Sequence, residues 1–135
     1  MTNPIAGLIT LQSDFSVHET LDRLEAAARA RGMTVFARVD HAAGARSVDL
    51  ELRPLELVLF GSPRAGTPLM QGSPTLGIDL PLKALAWEDE RGSVWLSYDE
   101  PAWLVARHGA GGRFEETIAR MSAGLADLAE RAARR

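Results

Sequence analysis

The sequence predicts an α+β fold in a single domain spanning residues 1–135. Apolar residues recur at helical spacing in one segment near each end, and runs of strand length, apolar or alternating, occupy much of the rest. Clusters of Gly, Pro and polar residues separate these runs.

Ile5 to Gln12 (IAGLITLQ) is β-prone and precedes the turn-like pair Ser13-Asp14, which makes it the first strand. Ser16 and Glu19 hold capping-box positions, so a helix starts there. Val17, Leu21, Leu24 and Ala28 share one face of that helix, and Gly32 suits the position just past its end. Met33 to Val39 reads as the second strand, with Met33, Val35, Ala37 and Val39 facing one way and Thr34, Phe36 and Arg38 the other. Asp40 can cap a short helix over His41-Ala42-Ala43 before Gly44 loosens it. Leu55 to Phe60 (LELVLF), bounded by Pro54 and Gly61, is a mostly buried third strand.

Gly61 to Gly66 reads as a tight glycine loop, followed by a short helical turn that starts at Thr67-Pro68 and is ended by Gly72. The chain is then expected to stay irregular up to Asp79. Leu82 to Trp87 and Ser93 to Tyr98 are the fourth and fifth strands, paired through the polar loop Glu88 to Gly92. A short helix follows Asp99-Glu100-Pro101, carries Trp103, Leu104 and Val105, and ends at His108-Gly109. The last helix starts near Arg113. Phe114, Ile118, Met121, Leu125, Leu128 and Ala132 form its apolar stripe, expected to pack across the sheet, and Glu116/Arg120, Asp127/Arg131 and Glu130/Arg134 are i,i+4 pairs with the acid first.

Composition narrows the function classes. The chain is 46% hydrophobic and 24% charged, as a globular domain is. No apolar run approaches the ~20 residues that span a bilayer, and the start MTNPIAGLIT lacks the basic residues of a signal peptide. Cytoplasmic residence, with no membrane partner, is the expectation. The absence of cysteine excludes disulfides, thiolate metal sites and thiol nucleophiles. Net charge is −3, with 15 basic and 18 acidic residues dispersed along the chain, which argues against nucleic acid as a partner.

Motifs for chemistry are sparse. Gly61 and Gly66 have the GxxxxG spacing of a nucleotide P-loop, but Thr67 and Pro68 stand where Lys and Ser/Thr are needed. No GxSxG is present, and a Ser/His/Asp triad has no distinctive spacing to support it. His18, His41 and His108 show no paired spacing, so no metal site and no cofactor are expected. The adjacent pair Asp40-His41 reads as a cap followed by a surface histidine in preference to a catalytic dyad. The best constellation joins Arg53, Asp79, Lys83 and Tyr98 to Gly61, Arg64, Gly66 and Thr67 of the glycine loop, whose backbone N–H groups can hold an anion. Asp79, Pro81 and Lys83 share one face if that stretch is extended, and Lys83 is the only lysine.

LVLFGSPRAGTPLMQ followed by GIDLPLKALAWED, with Thr34 to His41 upstream and Val94 to Tyr98 downstream, resembles the bacterial "domain of unknown function 302" family over nearly the whole chain. Arg53-Pro54, Gly61, Pro63, Gly66 to Met70 and Asp79 to Lys83 match its pattern. At Ala45 to Leu52, where the family pattern has a short helix ended by Gly, this chain reads ARSVDLEL. The resemblance implies a TATA-binding-protein-like β-α-β4-α architecture, with a mostly antiparallel curved sheet packed against an N-terminal and a C-terminal helix. It also implies a homodimer, and no established activity.

Three readings follow. The first is a dimeric module that binds a small polar or anionic molecule at the glycine loop. The second is a dimerisation or protein–protein interaction domain with no ligand, and the third is an enzyme using His41 or Lys83 as acid/base.

Overall fold

The computed structural model describes residues 4–135. Five strands, β1 (Leu8–Ser13), β2 (Thr34–Asp40), β3 (Leu55–Gly61), β4 (Leu82–Glu88) and β5 (Val94–Asp99), form one sheet in the order β1-β5-β4-β3-β2. Every neighbouring pair is antiparallel. The helices are α1 (Val17–Ala30), α2 (His41–Arg46), α3 (Pro63–Gly72), α4 (Pro101–Arg107) and α5 (Glu115–Ala133), with a 3₁₀ turn at Pro74–Ile78. The α+β class, the antiparallel sheet and the two terminal helices agree with expectation.

Helix α1 forms as its sequence dictates. Ser16 Oγ accepts from the Glu19 N–H at 3.1 Å, Gly32 takes φ +79° beyond the end, and Val17, Leu21, Leu24 and Ala28 are buried. Each fully buried leucine contributes roughly 1.5–3 kcal/mol, and Leu21 has no exposed surface. The partners of these side chains are Leu125, Leu128 and Ala132 of α5 and the alternate sheet residues Val58, Phe60, Ala84, Ala86, Leu96 and Tyr98. All three i,i+4 ion pairs predicted on α5 are present. A second, smaller cluster of Leu69, Leu76, Val105, Ala110 and Ile118 ties α3, the 3₁₀ turn and α4 to the N-terminal half of α5.

Four local expectations are corrected. A register shift between Val35 and Ala37 places Val35 opposite Phe60 but Arg38 opposite Val58, so the alternation read for Met33 to Val39 inverts part-way. A bulged residue shifts every later side chain to the other face. The glycine loop is the second correction: Gly61 ends β3, Ser62 caps α3, and Pro63 occupies its first turn. Neither Gly61 nor Gly66 has positive φ, and Pro68 lies inside the helix. Thirdly, the irregular stretch before Asp79 contains the 3₁₀ turn. Lastly, α5 starts at Glu115, because Phe114 takes the left-handed φ of +59° as its N-cap. Near Ala45–Leu52, α2 ends at Arg46 with Gly44 inside it, and no glycine terminates it.

Candidate functional site

Two features are open to chemistry or to partners. One is the sheet face turned away from α1 and α5. Register places Thr10, Ser97, Leu85, Leu57 and Val39 in one row across all five strands, beside a row of Gln12, Trp95, Trp87 and Leu55. Leu59 and Ala37 extend this surface into a third row, which also carries Lys83 opposite Leu59. Leu55, Leu57, Leu59, Leu85, Trp87 and Trp95 are half-buried, and Val39 is 40% exposed.

The indole and hydroxyl groups of this face are bonded within the protomer. Trp87 Nε1 donates to Ser97 Oγ at 2.9 Å, Trp95 Nε1 donates to Asp89 Oδ2 at 2.9 Å, and Thr10 Oγ1 lies 2.8 Å from Ser97 Oγ. The two indole rings stack with centroids 6.1 Å apart. Hydrogen bonds from Trp95 and from the Arg91 and Ser93 backbone hold the Asp89 carboxyl below its ordinary pKa against the opposing effect of desolvation.

The second feature is a polar chain at the opposite end of β3 from Arg53. Asp79 follows the 3₁₀ turn as its C-cap, and His108 is the C-cap of α4. Asp79 Oδ2 accepts from His108 Nε2 at 2.5 Å and from Arg107 Nη1 at 2.6 Å, while His108 Nδ1 lies 2.8 Å from Thr75 Oγ1. Burial pulls the Asp79 carboxyl pKa upward, but the His108 and Arg107 hydrogen bonds outweigh it and leave the group below its ordinary value. Lys83 Nζ donates to the Asp79 and Pro81 carbonyls at 3.0 and 3.2 Å. Sequence reading picked out Asp79 and Lys83 here but missed Thr75 and His108. No spacing signal links residues 33 and 29 positions apart.

The remaining predicted residues are not assembled into that constellation. Arg53 is exposed before β3, at the far end of that strand from Gly61. Arg64, Gly66 and Thr67 belong to α3. Tyr98 lies on the helix-covered face with 5% exposure, and burial, aided by Glu100 and Glu130, pushes its phenol pKa up. Asp79 is in the turn, not on a strand, so it shares no strand face with Lys83. Asp40 Oδ1 accepts from the Ala43 N–H at 2.9 Å as a cap, and His41 begins α2.

Near His18 and Asp40 a cleft of 310 Å³ opens, lined also by Arg46, Glu56 and Glu88. A broader one of 710 Å³ lies between α1 and α5, beside Arg23, Arg31, Asp127 and Arg131. Neither is lined by the glycine-loop residues. Arg38 bridges the helix and sheet layers near the smaller cleft, donating to Asp22, Glu25 and Glu56 at 2.6, 2.9 and 3.0 Å. Among the described residues, no group of three His, Cys, Asp or Glu is arranged to hold a metal ion. No described helix is long and apolar enough to cross a membrane.

Comparison with known proteins fits this architecture. A crystal structure of an uncharacterized conserved DUF302 protein from Bacillus stearothermophilus superposes with a TM-score of 0.84 at 19% identity, covering 96% of this chain and 100% of that one. This likeness shows a shared fold. Two relatives are 48% identical over 128 residues: "Fluoride-specific ion channel FluC 1" of Brucella suis and "Fluoride-specific ion channel FluC 2" of Brucella melitensis. The match takes in 95% of this chain but 50% and 47% of theirs, so the chain spans about half the length of these relatives. The sequence pattern "Domain of unknown function DUF302" matches residues 9–128, and the chain belongs to that family.

Proposed function

We propose that the protein is an association module that pairs with a second copy through the open face of its sheet. The observation that carries this reading is the apolar row Leu85–Leu57–Val39 flanked by Trp87, Trp95, Leu55 and Leu59, which no helix or strand among the described residues covers. Contiguous exposed apolar surface of this kind marks interaction sites.

Self-pairing fits the chemistry of the face. An isologous contact sets each patch against its own copy, so any excess charge of one sign would repel itself; the rows through Leu57 and Leu55 carry no ionised side chain, and Lys83, opposite Leu59 in the next row, has its ammonium turned to the Asp79 and Pro81 carbonyls. Both indole N–H groups already have acceptors within the protomer, so covering the two tryptophans strands neither donor. Five strands about 4.8 Å apart and six residues rising about 3.3 Å each give a face of roughly 24 by 20 Å. Its side-chain relief brings the accessible area toward the roughly 800 Å² per partner that stable interfaces bury.

The ligand-binding reading loses its main support, since the residues meant to cradle an anion form the capped start of α3. Analytical ultracentrifugation tests the pairing. The wild-type protein is expected to sediment as a dimer at micromolar concentration, and Leu57→Asp as a monomer with an unchanged far-UV spectrum. A monomeric wild type, or a Leu57→Asp dimer, overturns the proposal.

A second reading comes from the relatives named as fluoride-specific channels, with which this chain shares about half their length. On that reading the family domain accompanies a channel chain, and its pairing would bring two such chains together. Co-purification of this protein with the remaining half of the Brucella suis relative is the expected result, and its absence removes this reading while leaving the dimer intact.

A further inference from the structure

Thr75, His108 and Asp79 form a hydroxyl–imidazole–carboxylate chain that plays no part in the sheet-face contact. An ionised carboxylate only accepts, so the His108 nitrogen facing Asp79 carries the hydrogen. In the neutral ring the lone pair then lies on Nδ1, and Thr75 Oγ1 points its proton at that lone pair across 2.8 Å. Thr75 is an exposed residue, whereas the His108 side chain bonded to it is 8% exposed. An incoming electrophile therefore meets the oxygen before the base. Arg107, on the same Asp79 oxygen, helps fix the carboxylate that orients the ring.

The surroundings suit the role. Buried Leu76 in the turn and Val105 in α4 join one apolar cluster, so the hydroxyl and the imidazole stand on elements packed against each other. Ile78 is 75% exposed on the same 3₁₀ turn. Residues three apart share one side of such a turn, so Thr75 and Ile78 occupy the same side of it.

We propose that Thr75 is a nucleophilic hydroxyl that accepts apolar acyl groups from activated esters, with His108 as its general base and Asp79 as a positioning residue. Thr75 Oγ forms a bond to the acyl carbonyl carbon while its proton passes to His108 Nδ1. The tetrahedral adduct then expels the alcohol portion, which takes that proton from His108 and leaves Thr75 esterified. Water releases the acid by the same route, giving its proton to His108 as it attacks, and Thr75 recovers the proton as its oxygen departs. No oxidation or reduction occurs. Nucleophile, base and orienting acid follow the order of serine-type triads, with Nδ1 in place of Nε2 facing the hydroxyl.

The test is incubation of the full chain with p-nitrophenyl butyrate, reading nitrophenolate release and the mass of the peptide containing Thr75. The expected result is a butyryl group on Thr75 in the wild type and in Thr75→Ser, and none at this position in the isosteric Thr75→Val. General-base assistance contributes about 10²–10⁴-fold, so folded His108→Gln should acylate at least about a hundredfold more slowly. Asp79→Asn should move the pH profile of acylation. Absence of label on Thr75 in the wild type, or equal labelling rates in wild type and folded His108→Gln, overturns the proposal. Should His108→Gln not fold, Asp79→Asn decides, because it keeps the shape of the carboxyl: slower labelling of Thr75 than in the wild type supports the proposal, and an equal rate overturns it.

Discussion

Individual residues show how closely backbone and side chain are matched. Gly7 has φ +76°, and a Cβ placed there would sit 2.3 Å from the Trp103 ring. Left-handed backbone and an aromatic ring against the Cα both select glycine. Gly7→Ala is therefore expected to lose about 1–3 kcal/mol of stability from overpacking and strain, measured as a lower urea midpoint with an unchanged slope. A loss below a few tenths of a kcal/mol would show that Trp103 moves aside freely. Gly7 carries no turn motif that sequence reading can recognise, because its ring partner lies in α4. Ser16 is the opposite case: its cap is formed by residues three apart and was legible from the chain alone.

At the scale of elements, α1 and α5 are joined by more than apolar contact. Arg23 of α1 donates to the carbonyls of Arg131, Ala132 and Arg134 at 2.9, 3.2 and 3.0 Å. These carbonyls belong to the end of α5, where helical acceptors lack intrahelical partners. The same guanidinium lies 4.0 Å from the centre of the Phe15 ring. Arg23→Ala is expected to cost about 1.5–3 kcal/mol, the range of hydrogen bonds to charged groups. Amide hydrogen exchange should rise first in the last turn of α5, and uniform protection along α5 would contradict this.

Helix α3 shows where element-level reading failed. Ser62-Pro63 and Thr67-Pro68 are both acceptable helix starts by cap and proline preference, and the chain uses the first. Proline within a helix costs about 3 kcal/mol where it removes a hydrogen bond. Burial of Leu69 against Leu76, Val105 and Ile118 opposes that cost. The bulge in β2 has a similar origin, since inverting the register places Arg38 over Glu56 and beneath Asp22 and Glu25 of α1.

For the whole molecule, the Asp79 contact links stability to pH. Its folded pKa lies below the ordinary value, so its contribution is fully present above the unfolded carboxyl pKa of about 4 and disappears as pH falls through the lower folded value. Asp79→Asn should reduce stability by about 1–3 kcal/mol at pH 7 through its lost charge-assisted bonds, and by much less at pH 2. Urea unfolding of both proteins at the two pH values checks the sign. An equal gap at both pH values would mean that ionised Asp79 adds nothing beyond its protonated form.

By itself, the sequence determined the α+β class, the five strands, the stripes of α1 and α5, and the caps at Ser16 and Asp40. These rest on interactions within a few residues, where periodicity and capping chemistry act directly. Tertiary structure alone decided that the Gly61–Gly66 stretch becomes helix, that β2 inverts its register, and that Thr75, Asp79 and His108 meet. Those outcomes depend on which distant surfaces are buried together, and burial energy outweighs local preference where the two disagree. The open sheet face belongs to both. Its alternating apolar residues are written in the chain, but only the placement of both long helices on the other side leaves them without cover.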